Sequence, residues 1–363
     1  MTGPLYKHVY QKIKHQIHTG KLQANAPLPN QVELAKQFQV SEVTVKRALQ
    51  DLVKEGLIVR YRKKGTFVNQ QNHPYLPFAE HAVKTIYLVH SAYTGIYELN
   101  NVFITDMIEG IMEVTQERGL QFRICNENEV HDIVDPQEFG FILLSDSFDV
   151  QVMEKWCAEN RRMINVHMYF PHLNIPFIIV DNYTGGYLAT QHLLSLQHRR
   201  IGIILPEGKH GDINQEFNFR LQGYALAMAQ YRIEQDPSLI VKISRTTNAE
   251  DVGYEGCKKL LAFQDPPTAI FATTDHIAFG AIRAIKEHGM TVPGDISIIG
   301  YGDSPISKYL TPSLSSVQQN TRLLGKRAVQ TLLFEWDGKP DNERLKPTLI
   351  VRESTALSRT ALI

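Results

Sequence analysis

Apolar and polar positions alternate along this chain with two different periods, and the change of period divides it. Between Leu5 and Thr19 the apolar positions Val9, Ile13 and Ile17 recur every four residues with lysines between them. That spacing predicts an amphipathic helix, which Gly20 ends. A second helix is expected from Asn30 to about Phe38, because Asn30 can cap it and Glu33 stands three residues on, as in a capping box. A third follows after a short turn, capped by Ser41, with Val45, Ala48, Leu49 and Leu52 forming one apolar face. Glu42, Val43, Lys46, Arg47 and Gln50 share the opposite face. Gly56 is placed to stop the helix, and Leu57–Tyr61 and Thr66–Val68 then read as two strands around Arg62-Lys63-Lys64-Gly65. Helices joined by a short turn and followed by a basic hairpin predict a winged helix-turn-helix.

Beyond it, residues 70–83 are polar and carry Pro74 and Pro77, which suits a linker. A strand-then-helix rhythm follows. β-rich runs stand at Thr85–His90, Phe139–Leu144, Met163–His167, Phe177–Val180, Arg200–Leu205, Thr268–Ala272 and Ile296–Gly300. Helical stretches include Phe103–Arg118, Gly185–Leu196, Arg220–Gln230, Ala249–Phe263, Ile277–His288 and Leu323–Glu335. Such alternation predicts parallel sheets covered by helices on both faces, with ligands bound beyond the carboxyl ends of the strands. The expected fold is therefore α/β: a small winged helix-turn-helix head over 1–69, a linker over 70–83, and a bilobed doubly wound parallel-sheet body over 84–363.

Charge sharpens this division. The whole chain of 363 residues is formally neutral, with 38 Lys and Arg against 38 Asp and Glu. Residues 1–69 hold 12 of the cations and only 4 of the anions, so the head carries +8 and the remainder −8. A basic head on an acidic body is the footprint of a nucleic-acid-binding module joined to a regulatory one. Taken alone, the charges of Lys46, Arg47 and Arg60 to Lys64 fit a solvated surface equally well. The capped helices, the short turn and the hairpin together favour DNA, because the major groove admits one helix and the phosphates reward cations on a flanking hairpin.

The head strings Leu28-Pro29-Asn30-x-x-Glu33-Leu34-Ala35, Val40-Ser41-x-x-Thr44-Val45-x-x-Ala48-Leu49-x-x-Leu52-x-x-Glu55-Gly56-Leu57-Ile58 and Gly65-Thr66-Phe67-Val68 resemble the GntR family of bacterial regulators. The resemblance implies that Lys46 reads bases, that Ser41 and Thr44 touch phosphates, and that Lys64-Gly65 enters the minor groove. Together with the exposed face of the third helix, it makes Gln31, Ser41, Glu42, Thr44, Lys46, Arg47, Lys63, Lys64 and Gly65 the candidate contacts to double-stranded operator DNA. The chain departs at Glu42 and Val32, where the family favours arginine. A glutamate accepts from cytosine N4 and does not read guanine as arginine does.

The body resembles the LacI/GalR regulators and the periplasmic sugar-binding proteins. The matching strings are Asp181-Asn182-x-x-Gly185-Gly186-Tyr187, Arg220-x-x-Gly223-Tyr224, Pro267-Thr268-Ala269-Ile270-Phe271-Ala272-Thr273-Thr274-Asp275, Val292-Pro293-x-Asp295-Ile296-Ser297-Ile298-Ile299-Gly300-Tyr301 and Leu349-Ile350-Val351-Arg352-Glu353-Ser354. A GntR head on such a body resembles the arabinose-repressor branch. The resemblance implies two lobes joined by three crossovers and hinged around a small polar effector, a monosaccharide above all. Arg220 matches the family's ligand-binding arginine, the alternative being a surface ion pair. Its replacement by alanine is expected to abolish the effector response and leave effector-free operator binding near normal. Thr274 and Asp275 match an Asn-Asp position of the family and are both candidate effector contacts, the first a ligand contact there and the second with capping of the following helix as its alternative role. Ser91 and Tyr93 follow the first strand and His167 ends another, so that all three could face the cleft. Gly302 stands where the family offers an aspartate, and Asp303 could replace it only if the loop shifts.

Other classes find little support. No Walker loop, nucleophile elbow, HExxH or CxxC is present, and no lysine is placed as a Schiff base for the pyridoxal-phosphate enzymes to which GntR heads are also fused. Gly300-Tyr301-Gly302 reads as a loop leaving a strand. His15 and His18 lack a third nearby metal ligand. Cys125, Cys157 and Cys257 are too sparse for a disulfide framework and read as buried thiols. Neither a secretory signal nor a membrane-spanning run is apparent. The sequence therefore predicts a cytoplasmic, homodimeric, DNA-binding regulator without cofactor or metal, and disfavours an enzyme or a transporter's sugar-binding protein.

Overall fold

The computed structural model describes residues 5–18, 22, 26–54, 57–61, 65–69, 83–91, 102–130, 133, 138–144, 148–159, 161–173, 175–208, 211–244, 248–333 and 342–359. The chain divides into two compact units, Met1–Ala82 and Val83–Ile363.

In the first unit α1 (Leu5–His18), α2 (Gln31–Phe38) and α3 (Glu42–Lys54) enclose a core of Val9, Ile13, Ile17, Leu34, Val45, Ala48, Leu49 and Leu52. The expected capping box is present: the Glu33 amide donates to Asn30 Oδ1 and the Asn30 amide to Glu33 Oε2, both at 3.0 Å. A left-handed residue, Gln39 (φ 52°), turns the chain between α2 and α3. Ser41 caps α3 by accepting from the Thr44 amide at 3.3 Å. The hairpin pairs β2 (Ile58–Tyr61) with β3 (Gly65–Val68), Ile58 opposite Val68 and Tyr61 opposite Gly65. Gly65 has φ 118°, a conformation that a Cβ disfavours. A two-residue strand that the pattern did not reveal, β1 (Pro27–Leu28), adds to the other edge of β3. Gly20, Gly56 and the hairpin tip Arg62–Lys64 lie outside the described residues.

The second unit holds two lobes. One is built on the parallel sheet β5-β4-β6-β7, comprising β4 (Thr85–His90), β5 (Gln121–Asn126), β6 (Phe139–Leu144) and β7 (Arg162–Asn165). A parallel bridge between Asn165 and Phe177 continues it to β8 (Ile178–Val180), which pairs with β14 (Glu343–Leu345). Helices α4 (Val102–Glu117) and α11 (Thr321–Leu333) supply Met107, Ile111, Leu324, Ala328 and Leu332 to the core on one face. On the other face α5 (Glu127–Val130) buries Val130, and α6 (Val150–Ala158) buries Met153 and Trp156. The sequence reading missed α6.

The other lobe carries a six-stranded sheet in the order β10-β9-β11-β12-β13-β15. Its members are β9 (Ile201–Glu207), β10 (Ile240–Ser244), β11 (Ala269–Ala272), β12 (Ser297–Gly302), β13 (Ser315–Gln318) and β15 (Thr348–Ile350), and only β15 runs antiparallel to its neighbour. Helices α7 (Asn182–Ser195) and α8 (Gln215–Gln230) cover one face, α9 (Ala249–Leu261) and α10 (Asp275–Glu287) the other. This is the expected doubly wound architecture. The chain passes between lobes three times, from β8 to α7, from β13 to α11 and from β14 to β15. Cys125 and Cys257 are buried in the two lobes, and burial pushes both thiols up to about 12.

Helix pairs cross at reciprocal glycines. A Cβ built on Gly186 would stand 2.1 Å from the Arg220 carbonyl oxygen, and one on Gly223 would stand 2.1 Å from that of Tyr183. The same exchange joins Gly110 with Gly325 across α4 and α11, and Gly253 with Gly280 across α9 and α10. Backbones this close leave no room for any side chain.

The last described residues strap the second lobe. The Ser354 hydroxyl donates to the Ile298 carbonyl (2.6 Å) and accepts from the Ser315 amide (2.8 Å). His198 lies 3.0 Å from the Ala356 carbonyl and 2.9 Å from Thr268 Oγ1, and His192 lies 2.9 Å from Thr355 Oγ1. Burial lowers the pKa of both rings. The unfolded chain therefore binds more protons than the folded one on acidification, so the histidines' contribution to stability is fully present above the unfolded value of about pH 6.5 and is lost as pH falls from there through the lowered folded values. Urea midpoints measured from about pH 8 to about pH 5 should decline on the acid side, and less steeply in His198→Gln; an equal slope would remove His198 from the account.

Candidate functional site

In the first unit α3 presents one polar face. Its core side is sealed by Val45, Ala48, Leu49 and Leu52, which leaves Ser41, Glu42, Val43, Lys46 and Arg47 exposed. Arg47 stacks on the ring of Tyr6 in α1, its guanidinium carbon 4.0 Å from the centroid, so that this cation is held at a defined position. Thr44 is half-buried, its hydroxyl 2.8 Å from that of Ser41. Gln31 opens α2, half-buried, and Gly65 opens β3, exposed. Lys63 and Lys64 lie outside the described residues.

In the second unit the candidate effector residues fall into two clusters. Arg220 is the hub of the first and is only 2% exposed. Its Nε donates to Asn182 Oδ1 (2.9 Å), its Nη1 to the Thr273 carbonyl (2.7 Å) and its Nη2 to Glu216 Oε2 (3.2 Å). The guanidinium lies over the Tyr301 ring at 3.9 Å, and the Tyr301 hydroxyl also donates to Asn182 Oδ1. Burial raises the Tyr301 pKa, so the phenol stays protonated and donates. His167, in the loop after β7, places Nε2 3.4 Å from Glu216 Oε2 and meets the edge of Phe103. Glu216 thus joins Arg220 of one lobe to His167 of the other. Nearby, Tyr169 and Gln215 exchange two 3.0 Å hydrogen bonds, and Tyr169 stacks on Phe177 and Phe219 under the guanidinium of Arg344. These contacts form a seam between the lobes.

The second cluster surrounds Asp275. Its Oδ2 accepts from the Ser304 amide (2.5 Å) and the Ser307 hydroxyl (2.9 Å), and its Oδ1 from the Ser316 hydroxyl (2.6 Å). Burial holds the carboxyl above the usual range, although these three donors pull against it. The helix cap expected of Asp275 belongs instead to Thr274, whose Oγ1 accepts from the Ile277 amide at 3.2 Å. Asp303 takes a left-handed conformation (φ 53°) and gives its carboxylate to Arg352 (2.6 Å) and Gln318 (3.1 Å). Gly302 beside it has φ 126°, so the missing family aspartate would be strained there. Ser91 is buried at the end of β4, and Tyr93 lies outside the described residues.

Five residues escaped the sequence reading as site candidates. Asn182 and Tyr301 stood inside the matching strings, and Glu216 lies one helical turn before Arg220. Gln319 carried no signal. It sits in the second crossover, 7% exposed, and its Oε1 is buried without a hydrogen-bond partner. Asn165 Nδ2, at the carboxyl end of β7, is a buried donor in the same condition. An unpaired acceptor and an unpaired donor at these places suit hydroxyl groups.

Comparison with known proteins agrees with this architecture. Residues 5–68 match bacterial regulatory proteins of the gntR family, and residues 190–355 match the periplasmic binding protein-like domain. The ribose operon repressor of Haemophilus influenzae is 32% identical over 266 residues, which cover 70% of this chain and 78% of the relative. A LacI family regulator from Enterococcus faecium with bound ribose superposes with a TM-score of 0.64 at 25% identity, over 76% of this chain and 100% of the other. The regulator CelR in complex with cellobiose gives a TM-score of 0.65 at 26% identity, over 87% and 92%. The chain belongs to the LacI-type transcriptional repressors and carries a gntR-family domain over residues 5–68. No helix among the described residues is long and apolar enough to cross a membrane.

Proposed function

We propose that this protein represses sugar-utilisation genes as a homodimer in the cytoplasm, binding inverted operator half-sites through α3 and the hairpin, and that a monosaccharide held between the lobes modulates this binding. The observation that carries the reading is the cluster at the lobe boundary, where Glu216 links Arg220 to His167. A small polar molecule placed there would alter the contacts between lobes, and a ligand shifts an equilibrium only through its different affinity for the two states. The unpaired polar atoms of Gln319 and Asn165 are suited to a polyhydroxy ligand, and solved relatives carry ribose and cellobiose. Glu42, Lys46 and Arg47 contact base edges and phosphates in this reading, Ser41 and Thr44 the phosphates.

A thermal-shift screen of pentoses, hexoses and deoxy-sugars tests the effector, with pentoses first because of the resemblance to the arabinose-repressor branch. A ligand that binds the native state at a hundred times its Kd should stabilise it by about 2.7 kcal/mol. The same ligand should change the retardation of an operator fragment and be recovered unchanged. Stabilisation by none of the panel, or turnover of the ligand, would overturn the reading.

A further inference from the structure

Val43 is 76% exposed, more than any other large apolar side chain among the described residues. It is the second residue of α3. On an ideal helix of roughly 100° per residue it points almost directly away from the seam of Val45, Ala48, Leu49 and Leu52 that fixes α3 to the core. Folding therefore does not require an apolar side chain there, and a polar one would cost the isolated head nothing. Its neighbours on the same face are Lys46 and Arg47, three and four residues on and both exposed. Arg47 is held over the Tyr6 ring at 4.0 Å and is not free to fold across Val43. The surface is a single branched apolar group framed by two cations. Protein partners usually bury a wider apolar patch. A polyanion with one apolar spot on its floor fits better, and the major groove of DNA has such a spot in the 5-methyl group of thymine.

We propose that Val43 is a specificity-determining residue that reads a thymine in each operator half-site through its 5-methyl group. The inference rests on the reading of α3 as the helix that enters the major groove. Glu42 beside it has the chemistry to accept from the N4 amine of a cytosine, so that the first turn of α3 would read neighbouring pyrimidines where the related regulators present arginine. Lys46 supplies charge and base-edge hydrogen bonds one turn later.

The test uses the full-length protein and a duplex that it enriches from a randomised pool. Each thymine of that duplex is replaced in turn by deoxyuridine, which differs only in lacking the methyl group. At one thymine in each half-site the replacement should weaken the unaltered protein about fourfold, the worth of one buried methyl, and leave Val43→Ala unaffected. Val43→Thr, which keeps one γ-methyl, should retain the thymine preference. Because the side chain is exposed, Val43→Ala should melt with the parent protein. Uracil effects identical in the parent and Val43→Ala at all positions would overturn the proposal, as would a Val43→Ala loss spread evenly over all duplexes. Failure to enrich any duplex would instead sink the DNA-binding reading on which it depends.

Discussion

Replacing Arg220 by alanine is expected to destabilise the body by about 3–5 kcal/mol before any small molecule is added, the loss typical of breaking a buried ion pair from one side. The sequence alone suggests a milder variant that merely loses its effector. The structure adds a loss of stability to that expectation, because the guanidinium donates to Asn182 of α7, to the Thr273 carbonyl in the loop after β11 and to Glu216 one turn back in α8, and stacks on Tyr301. Without it the Thr273 carbonyl loses its Arg220 donor, and the mostly buried Glu216 carboxylate loses its guanidinium partner while still facing His167. Those groups have little access to water, so the loss of a charged donor is costly. Urea denaturation of the full chain, followed through the body's unfolding, would show the loss. A change below about 1 kcal/mol would mean that water enters and that Arg220 is a ligand contact more than a structural tie.

Gly186→Ala should cost about 3 kcal/mol, at the upper end of overpacking effects. The new methyl would lie 2.1 Å from the Arg220 carbonyl oxygen and 2.7 Å from its carbonyl carbon and Cα, all of them backbone atoms. No rotamer change relieves such a clash, so α7 and α8 must separate by roughly an ångström to reach ordinary contact distance. Gly223 on the facing helix is equally close to Tyr183 and leaves no slack. Since the clash falls on the backbone of Arg220 itself, the same substitution should also move the guanidinium away from Asn182. The melting transition of the variant provides the measurement, and a midpoint unchanged from the parent would show that the helices slide without penalty.

The head could be read almost completely from its residues, because its determinants are local. Asn30 and Glu33 satisfy each other three residues apart, and Val9, Ile13 and Ile17 mark one stripe. Only β1 was missed, since a strand of two residues that begins with Pro27 and is followed by Pro29 carries no periodicity. In the body, strands buried on both faces such as β4, β6 and β11 stood out as apolar runs. The edge strands β5 and β10 mix polar residues into that run, and β13 begins with two serines whose hydroxyls are spent on Asp275, Asp303, Arg352 and Thr355. Arg220 was recognisable from its string. Its dependence on Glu216, Asn182 and Thr273 was not, because Asn182 and Thr273 lie 38 and 53 residues away in the chain. The role of Asp275 was misjudged for the same reason: its donors Ser304, Ser307 and Ser316 are 29 to 41 residues downstream.

The interleaving of the lobes bears on how the protein is made. A chain leaving the ribosome offers its amino-terminal segments first, and contiguous domains fold as they emerge. The head is such a segment and has its whole core by Val68. Neither lobe is. The first has its β4 to β8 strands in place early, yet its core waits for Leu324, Ala328, Leu332 and Leu345, which arrive after nearly all of the second lobe. That second lobe in turn waits for Ser354 to bridge Ile298 and Ser315. Both therefore close only once residues 324–354 have been synthesised, and a nascent chain halted before that point would carry a finished head on an unfinished body.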